Sequence, residues 1–126
     1  MNHEKFKVLE YIRKLILLVE EELVNFPHKD IEIKNRIKQN SYDILELAYE
    51  ANLKDASKLE EKKDIINKII AKIKVIDFLI NICSDKKIIA TRKYLKFGRQ
   101  LDDIMMYTAG WLKSIEKSKK VNCIEK

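Results

Sequence analysis

Apolar residues recur along this chain at helical spacing, in four separate runs. In the first, Val8, Ile12, Leu15, Val19 and Leu23 follow one another at steps of 4, 3, 4 and 4. That spacing lines one face of a helix and predicts one from Glu4 to about Asn25. Pro27 ends it and can open the next, because proline is tolerated in the first turn of a helix but not in its interior. The second helix is expected from about Lys29 to Ala51, with Ile37, Ser41, Ile44, Ala48 and Ala51 on one face, Leu45 beside it and Asn52 as a stop. Ser57 and Glu60 read as a capping box that opens the third helix. Its stripe is Ile66, Ile69, Ile73, Ile76, Ile80 and Cys83. Ser84 and Asp85 are competent N-caps for the fourth. That helix is expected to run to about Glu116 through Tyr94, Phe97, Leu101, Ile104, Thr108, Trp111 and Ile115. The charged segment from Lys117 to Lys126 is expected to fray.

Long helices on short connections place sequential neighbours antiparallel, so the expected fold is all-α, an antiparallel up-down-up-down four-helix bundle. Residues 1–117 would form one domain and residues 118–126 a charged tail. Two glycines and one proline in 126 residues leave little material for turns, which supports few and long elements. The first and third helices carry more apolar surface than one stripe needs, in Leu15 to Val19 and in Ile65, Ile70 and Leu79. An added apolar face implies deep burial or contact with another subunit. Phe6, Phe78, Phe97 and Trp111 are assigned to the core rather than to base-stacking platforms. Met106 and Tyr107 lie off the main stripe and mark either a subunit interface or an ordinary exposed position.

Cys83 and Cys123 form no metal-ligand spacing with His3 and His28, so neither a metal nor another cofactor is implied, and a reducing compartment fits. The longest apolar run is the five residues Leu15 to Val19, far below the roughly 20 that span a bilayer, and no leader pattern opens the chain. The expectation is a cytoplasmic protein without a membrane partner. Net charge is +6, with a pI near 9.2. That balance favours polyanionic partners but does not bear on the fold.

Charge distribution sharpens the picture. Between Lys86 and Arg99 stand six basic residues, Lys86, Lys87, Arg92, Lys93, Lys96 and Arg99, and no acid. Arg92, Lys96 and Arg99 share one helical face. Lys34 and Lys38 of the second helix, with Arg36, add to the candidate set. Such a stripe suits phosphate contacts, with salt-dependent binding through counterion release; the alternative is an ordinary solvated face in a lysine-rich chain. In the third helix Lys58, Lys62, Lys68 and Lys72 are partly neutralised by Glu60, Glu61 and Asp64.

Catalytic patterns are missing. Asp102 and Asp103 are adjacent in a helix and diverge, so they do not form an acid/base pair. Neither histidine has a Cys or Ser partner at a useful spacing. No Glu-x-x-His motif of a di-iron bundle occurs, nor a glycine-rich phosphate loop. Glu20, Glu21 and Glu22 sit at the C-terminal end of the first helix, where the macrodipole opposes them, and so call for basic neighbours.

The Phe26-Pro27 junction, the basic opening of the fourth helix and the closing run Asp103-Ile104-Met105-Met106-Tyr107-Thr108-Ala109-Gly110-Trp111-Leu112-Lys113 resemble the four helix bundle protein superfamily. That superfamily includes proteins encoded in intervening sequences of 23S ribosomal RNA genes and the accessory variability determinant (Avd) of diversity-generating retroelements. Its last helix commonly reads Glu-Ile-Gly-Arg-Met-Leu-Gly-Gly-Trp. Ile104, Gly110 and Trp111 match that pattern, Asp103 and Ala109 are close, and Met105 and Met106 depart from it. The resemblance implies a non-enzymatic scaffold that assembles as a homopentamer. In the retroelement branch it further implies binding of reverse transcriptase and RNA; in the intervening-sequence branch, a stand-alone structural or interaction module. Apart from any family, Ala109 and Gly110 beside Trp111 would let a neighbouring helix come close.

Overall fold

The computed structural model describes the backbone of residues 3–125 and the side chains of residues 5–118. Four helices follow one another: α1 (His3–Glu22), α2 (Ile31–Leu53), α3 (Leu59–Asp85) and α4 (Thr91–Glu125), with a 3-10 turn at His28–Asp30. They pack in a square, each beside its neighbours in sequence, and α1 against α4 closes it. Among the described residues the diagonal pairs make no close backbone approach.

Side-chain pairs fix the directions. Lys38 of α2 meets Glu20 near the end of α1 at 3.3 Å, while Arg13 donates to the Tyr49 hydroxyl near the end of α2. Tyr94 at the start of α4 donates to Asn81 near the end of α3 at 2.6 Å, and Lys63 near the start of α3 pairs with Glu116 at 3.5 Å. Pairs of this order make each neighbouring couple antiparallel. The molecule is an up-down-up-down four-helix bundle.

The core is made by the predicted stripes. Val8, Ile12, Leu15, Val19 and Leu23 are buried, as are Ile37, Ser41, Ile44, Ala48 and Ala51. The stripe of α3 and that of α4 from Phe97 to Ile115 are buried too, and Tyr94 is half-buried. The wide apolar surfaces of α1 and α3 are partly used inside: Ile16, Leu18, Ile65 and Leu79 are buried, whereas Leu17 is exposed. Ala109 and Gly110 are half-buried beside the buried Trp111.

Several boundaries differ from expectation. α1 ends at Glu22, and residues 23–25 form a turn. Pro27 opens the 3-10 turn instead of α2, which starts at Ile31, and Asn52 lies within α2. The capping box is not formed: Lys58 occupies the N-cap of α3, and the Ser57 N–H donates to Asp55 Oδ1 at 3.1 Å. Local side-chain bonding has won over the helix cap there. Ser84 and Asp85 belong to the end of α3 and do not cap α4. α4 itself continues past Glu116 to Glu125, through most of the expected tail.

The α3–α4 connection has a definite geometry. The Ile88 N–H donates to Cys83 O at 2.8 Å and the Lys87 N–H to Ser84 O at 3.0 Å. Lys87 has φ +58°. This bonding is a Schellman motif, in which the left-handed position usually carries glycine.

Two aromatic assignments are corrected. Phe6 is 50% exposed and Phe78 63% exposed, while Phe97 and Trp111 are buried. Phe78 stands two residues after Ile76 and five after Ile73. Neither step returns a side chain to the same helical face, so Phe78 points out of the bundle. Phe6, two residues before Val8, fails in the same way.

Candidate functional site

Antiparallel packing brings all eight sequence-predicted basic residues to one end of the bundle, where α1 and α3 end and α2 and α4 begin. They do not form one cluster. Arg92, Lys93, Lys96 and Arg99 line an open groove of about 530 Å³ on the α1–α4 edge, together with Gln100 and Glu22. Lys34 and Lys38 stand on the other side of α1, toward α2, where Lys38 is held by Glu20. Lys86 and Lys87 lie in the α3–α4 turn.

The end of α1 separates the two basic groups. Glu20 takes Lys38 and accepts a hydrogen bond from Tyr42 at 3.3 Å. Glu22 takes Lys93 at 3.3 Å and Lys96 at 3.7 Å. These are the cations that the helix dipole required near Glu20 and Glu22. Among the described residues Arg92 and Arg99 have no acidic partner, so both guanidinium groups remain on offer at the groove. Each presents a planar fork of donors suited to phosphate.

Two site residues were missed from sequence. Glu22 was read only as an acid in need of a partner, and its place in the groove depends on the α1–α4 contact. Gln100 follows Lys96 by four residues, a signal that was present in the spacing. Its Oε1 is buried and has no hydrogen-bond partner among the described residues.

Lys86 is committed elsewhere. Its Nζ lies 2.5 Å from Oδ1 of Asp30, which is only 5% exposed. Lys87 is exposed but set by the left-handed turn. A second groove, of about 450 Å³ between α2 and α3, is lined by Asp43, Glu46 and Glu50 as well as Lys68 and Lys72. Asp43 there accepts from Gln39 at 2.8 Å and from Lys72 at 3.1 Å, and these bonds hold its carboxyl below the ordinary range. Such mixed walls do not favour an anion. The neutralisation of α3's lysines is visible in Lys72 with Asp43 and in Lys58 with Glu61 at 3.9 Å.

Among the described residues no group of three or more His, Cys, Asp or Glu could hold a metal ion, and no helix is long and apolar enough to cross a membrane. Cys83 is buried, which pushes its thiol up to about 11. Asp102 is exposed and Asp103 half-buried. His28 is exposed, while His3 and Cys123 lie outside the described side chains.

Fold and groove together define a basic, antiparallel four-helix bundle with a cationic channel along its α1–α4 edge. No family model matches the chain, and no curated protein matches it either.

Proposed function

We propose that this chain is a non-enzymatic nucleic-acid-binding bundle that holds RNA along the α1–α4 groove. The observation that carries this reading is the concentration of four cations of one helix, Arg92, Lys93, Lys96 and Arg99, in a single open groove with one acid. From Arg92 to Arg99 the helix rises roughly 10 Å, the length of about three nucleotides in one stacked strand. Lys34 and Lys38 flank the groove at a distance and serve to attract a polyanion rather than to grip it. Lys86 and Lys87 add to the positive field at the same end.

The retroelement part of the reading is carried by the sequence resemblance alone, in the Phe26-Pro27 junction, the basic opening of α4 and its closing run from Asp103 to Lys113. On that ground the chain acts as an Avd-like accessory protein, a homo-oligomer that presents RNA to a reverse transcriptase without catalysing a reaction. A reverse transcriptase gene beside this one, with a template and variable repeat, would support that context over the intervening-sequence branch.

The groove is tested with the triple variant Arg92→Glu, Lys96→Glu, Arg99→Glu. RNA retention at moderate salt should be lost while far-UV helicity is kept. Undiminished retention by the folded variant would move the site elsewhere. In the unaltered protein, retention should fall steeply as salt rises, because each phosphate contact releases counterions.

A further inference from the structure

We propose that the strand held in the α1–α4 groove is single-stranded RNA, and that one of its bases stacks on the Tyr11–Tyr107 pair beyond the groove. The inference deepens the proposed function and rests on it: the groove grips phosphates, and the tyrosines select the form of nucleic acid. The two rings lie face to face, with centroids 5.4 Å apart and an interplanar angle of 9°. Both side chains are half-buried, so they line the α1–α4 seam at the border of the core.

Antiparallel register puts this pair in line with the groove. Glu22 of α1 meets Lys96 of α4, and Tyr11 of α1 meets Tyr107 of α4. From Glu22 back to Tyr11 and from Lys96 on to Tyr107 the step is eleven residues, three helical turns, so both contacts fall on the same edges of the same two helices. From Arg92 to Tyr107 the helix rises about 22 Å, the length of about six or seven stacked nucleotides. A strand that follows the seam out of the groove therefore reaches the rings.

Charge along that path separates a single strand from a duplex. Lys96, Asp103 and Tyr107, at steps of seven and four, share one edge of α4, so an acid stands between the cations and the rings. Asp103 is half-buried and repels phosphate, which opposes a rigid duplex that keeps its backbone along the seam. A single strand can turn its backbone outward and its bases inward there, and an unpaired base has a free face for an aromatic ring. Bases within a duplex are covered on both faces by their neighbours. Past the acid the cations resume. Lys14 Nζ lies over the Tyr11 ring at 4.7 Å and Lys7 Nζ at 6.0 Å. Both lie near Glu10, at 3.8 and 3.3 Å, and both stay partly exposed, so they are at hand for the phosphate of the stacked nucleotide. Cations, an acid, then stacked rings with two lysines suit a strand whose backbone is gripped twice and whose base turns inward at the second grip.

The test uses the full chain with oligouridines of about ten nucleotides, each carrying one 2-aminopurine at a successive position, beside a blunt RNA stem of the same length. The fluorescence of 2-aminopurine is quenched when it stacks on an aromatic ring. At moderate salt the single strand should bind roughly 5- to 100-fold more tightly than the stem, the range that one stacked base supplies, and at least one position should be quenched in the complex. The double variant Tyr11→Leu, Tyr107→Leu keeps apolar bulk at the seam and should erase both the preference and the quenching. Tyr11→Phe, Tyr107→Phe keeps the rings and should restore both. Equal affinity for strand and stem, or no quenching at any position, would overturn the proposal, and both are read on the unaltered protein whether or not the Leu variant folds. So would a folded Leu variant that keeps the full preference. The triple charge reversal reports on the groove alone: if it abolishes retention of both RNAs while the unaltered protein binds strand and stem equally, the groove stands and the stacking falls. Retention of both RNAs by the folded triple variant would remove the groove itself, and this inference with it.

Discussion

Lys86 and Asp30, 56 positions apart in the chain, meet at 2.5 Å and tie the α3–α4 turn to the turn that precedes α2. Asp30 is nearly buried and its other carboxylate oxygen has no partner among the described residues, whereas Lys86 is 45% exposed. The pair therefore works as a clasp at the basic end. Removing the cation would leave a buried carboxylate with no counter-charge, a loss of about 1–3 kcal/mol. Lys86→Met should lower stability by that amount in urea unfolding, and the double variant with Asp30→Asn should recover part of it. An unchanged midpoint in Lys86→Met would show that the contact contributes nothing.

Lys87 occupies the left-handed position of the Schellman turn, which costs a residue with a Cβ roughly 1 kcal/mol. Lys87→Gly should stabilise the bundle by about 0.5–1 kcal/mol, read as a raised Tm. If Lys87 also contributes to the polyanion field, RNA retention should weaken slightly in the same variant, so stability and binding move in opposite directions.

Glu22 competes with any anion in the groove, since it holds Lys93 and Lys96. Both lysines are partly exposed, so each ion pair is worth well under 1 kcal/mol. Glu22→Gln should release them and tighten RNA binding by roughly 2–5-fold at low salt, with a steeper salt dependence. Weaker binding in that variant would mean that Glu22 orders the lysines for the ligand instead of blocking them.

Cys83 should be inert in the native state. Burial raises its thiol to about 11, with the nearby Asp30 charge adding to the effect and Lys86 opposing it. Very little thiolate is then present at neutral pH, and reagents attack the thiolate. In a Cys123→Ser background, Cys83 should be modified only when the protein unfolds, so its labelling rate reports on opening of the core. Fast modification under native conditions would show that the α3 end opens locally.

Much of the bundle was legible in the chain. Steps of three and four between Ile66 and Cys83, or between Phe97 and Ile115, leave one face for the core, and these residues are buried as that spacing requires. The same rule explains why Phe78 is exposed: two residues past Ile76 and five past Ile73, it is out of phase with the stripe to which it is assigned from sequence. Boundaries were less legible. Ser57 and Ser84 each have the chemistry of a cap, yet Asp55 bonds the Ser57 N–H and Ser84 accepts from Lys87 at the end of α3. Several polar groups compete within a few residues at such positions, and small differences decide between them.

The amino-acid order by itself determined the class of fold, the four stripes of the core and a helix that opens with cations and no acid, because these follow from spacing within one helix. Only tertiary structure decided how the cations are shared out. Packing α1 between α2 and α4 put Glu20 against Lys38 and Glu22 against Lys93 and Lys96, left Arg92 and Arg99 without acidic partners among the described residues, and drew Lys86 to Asp30. Partners that lie 18 to more than 70 residues apart are chosen by which helix edges meet, and no local pattern in the chain records that choice.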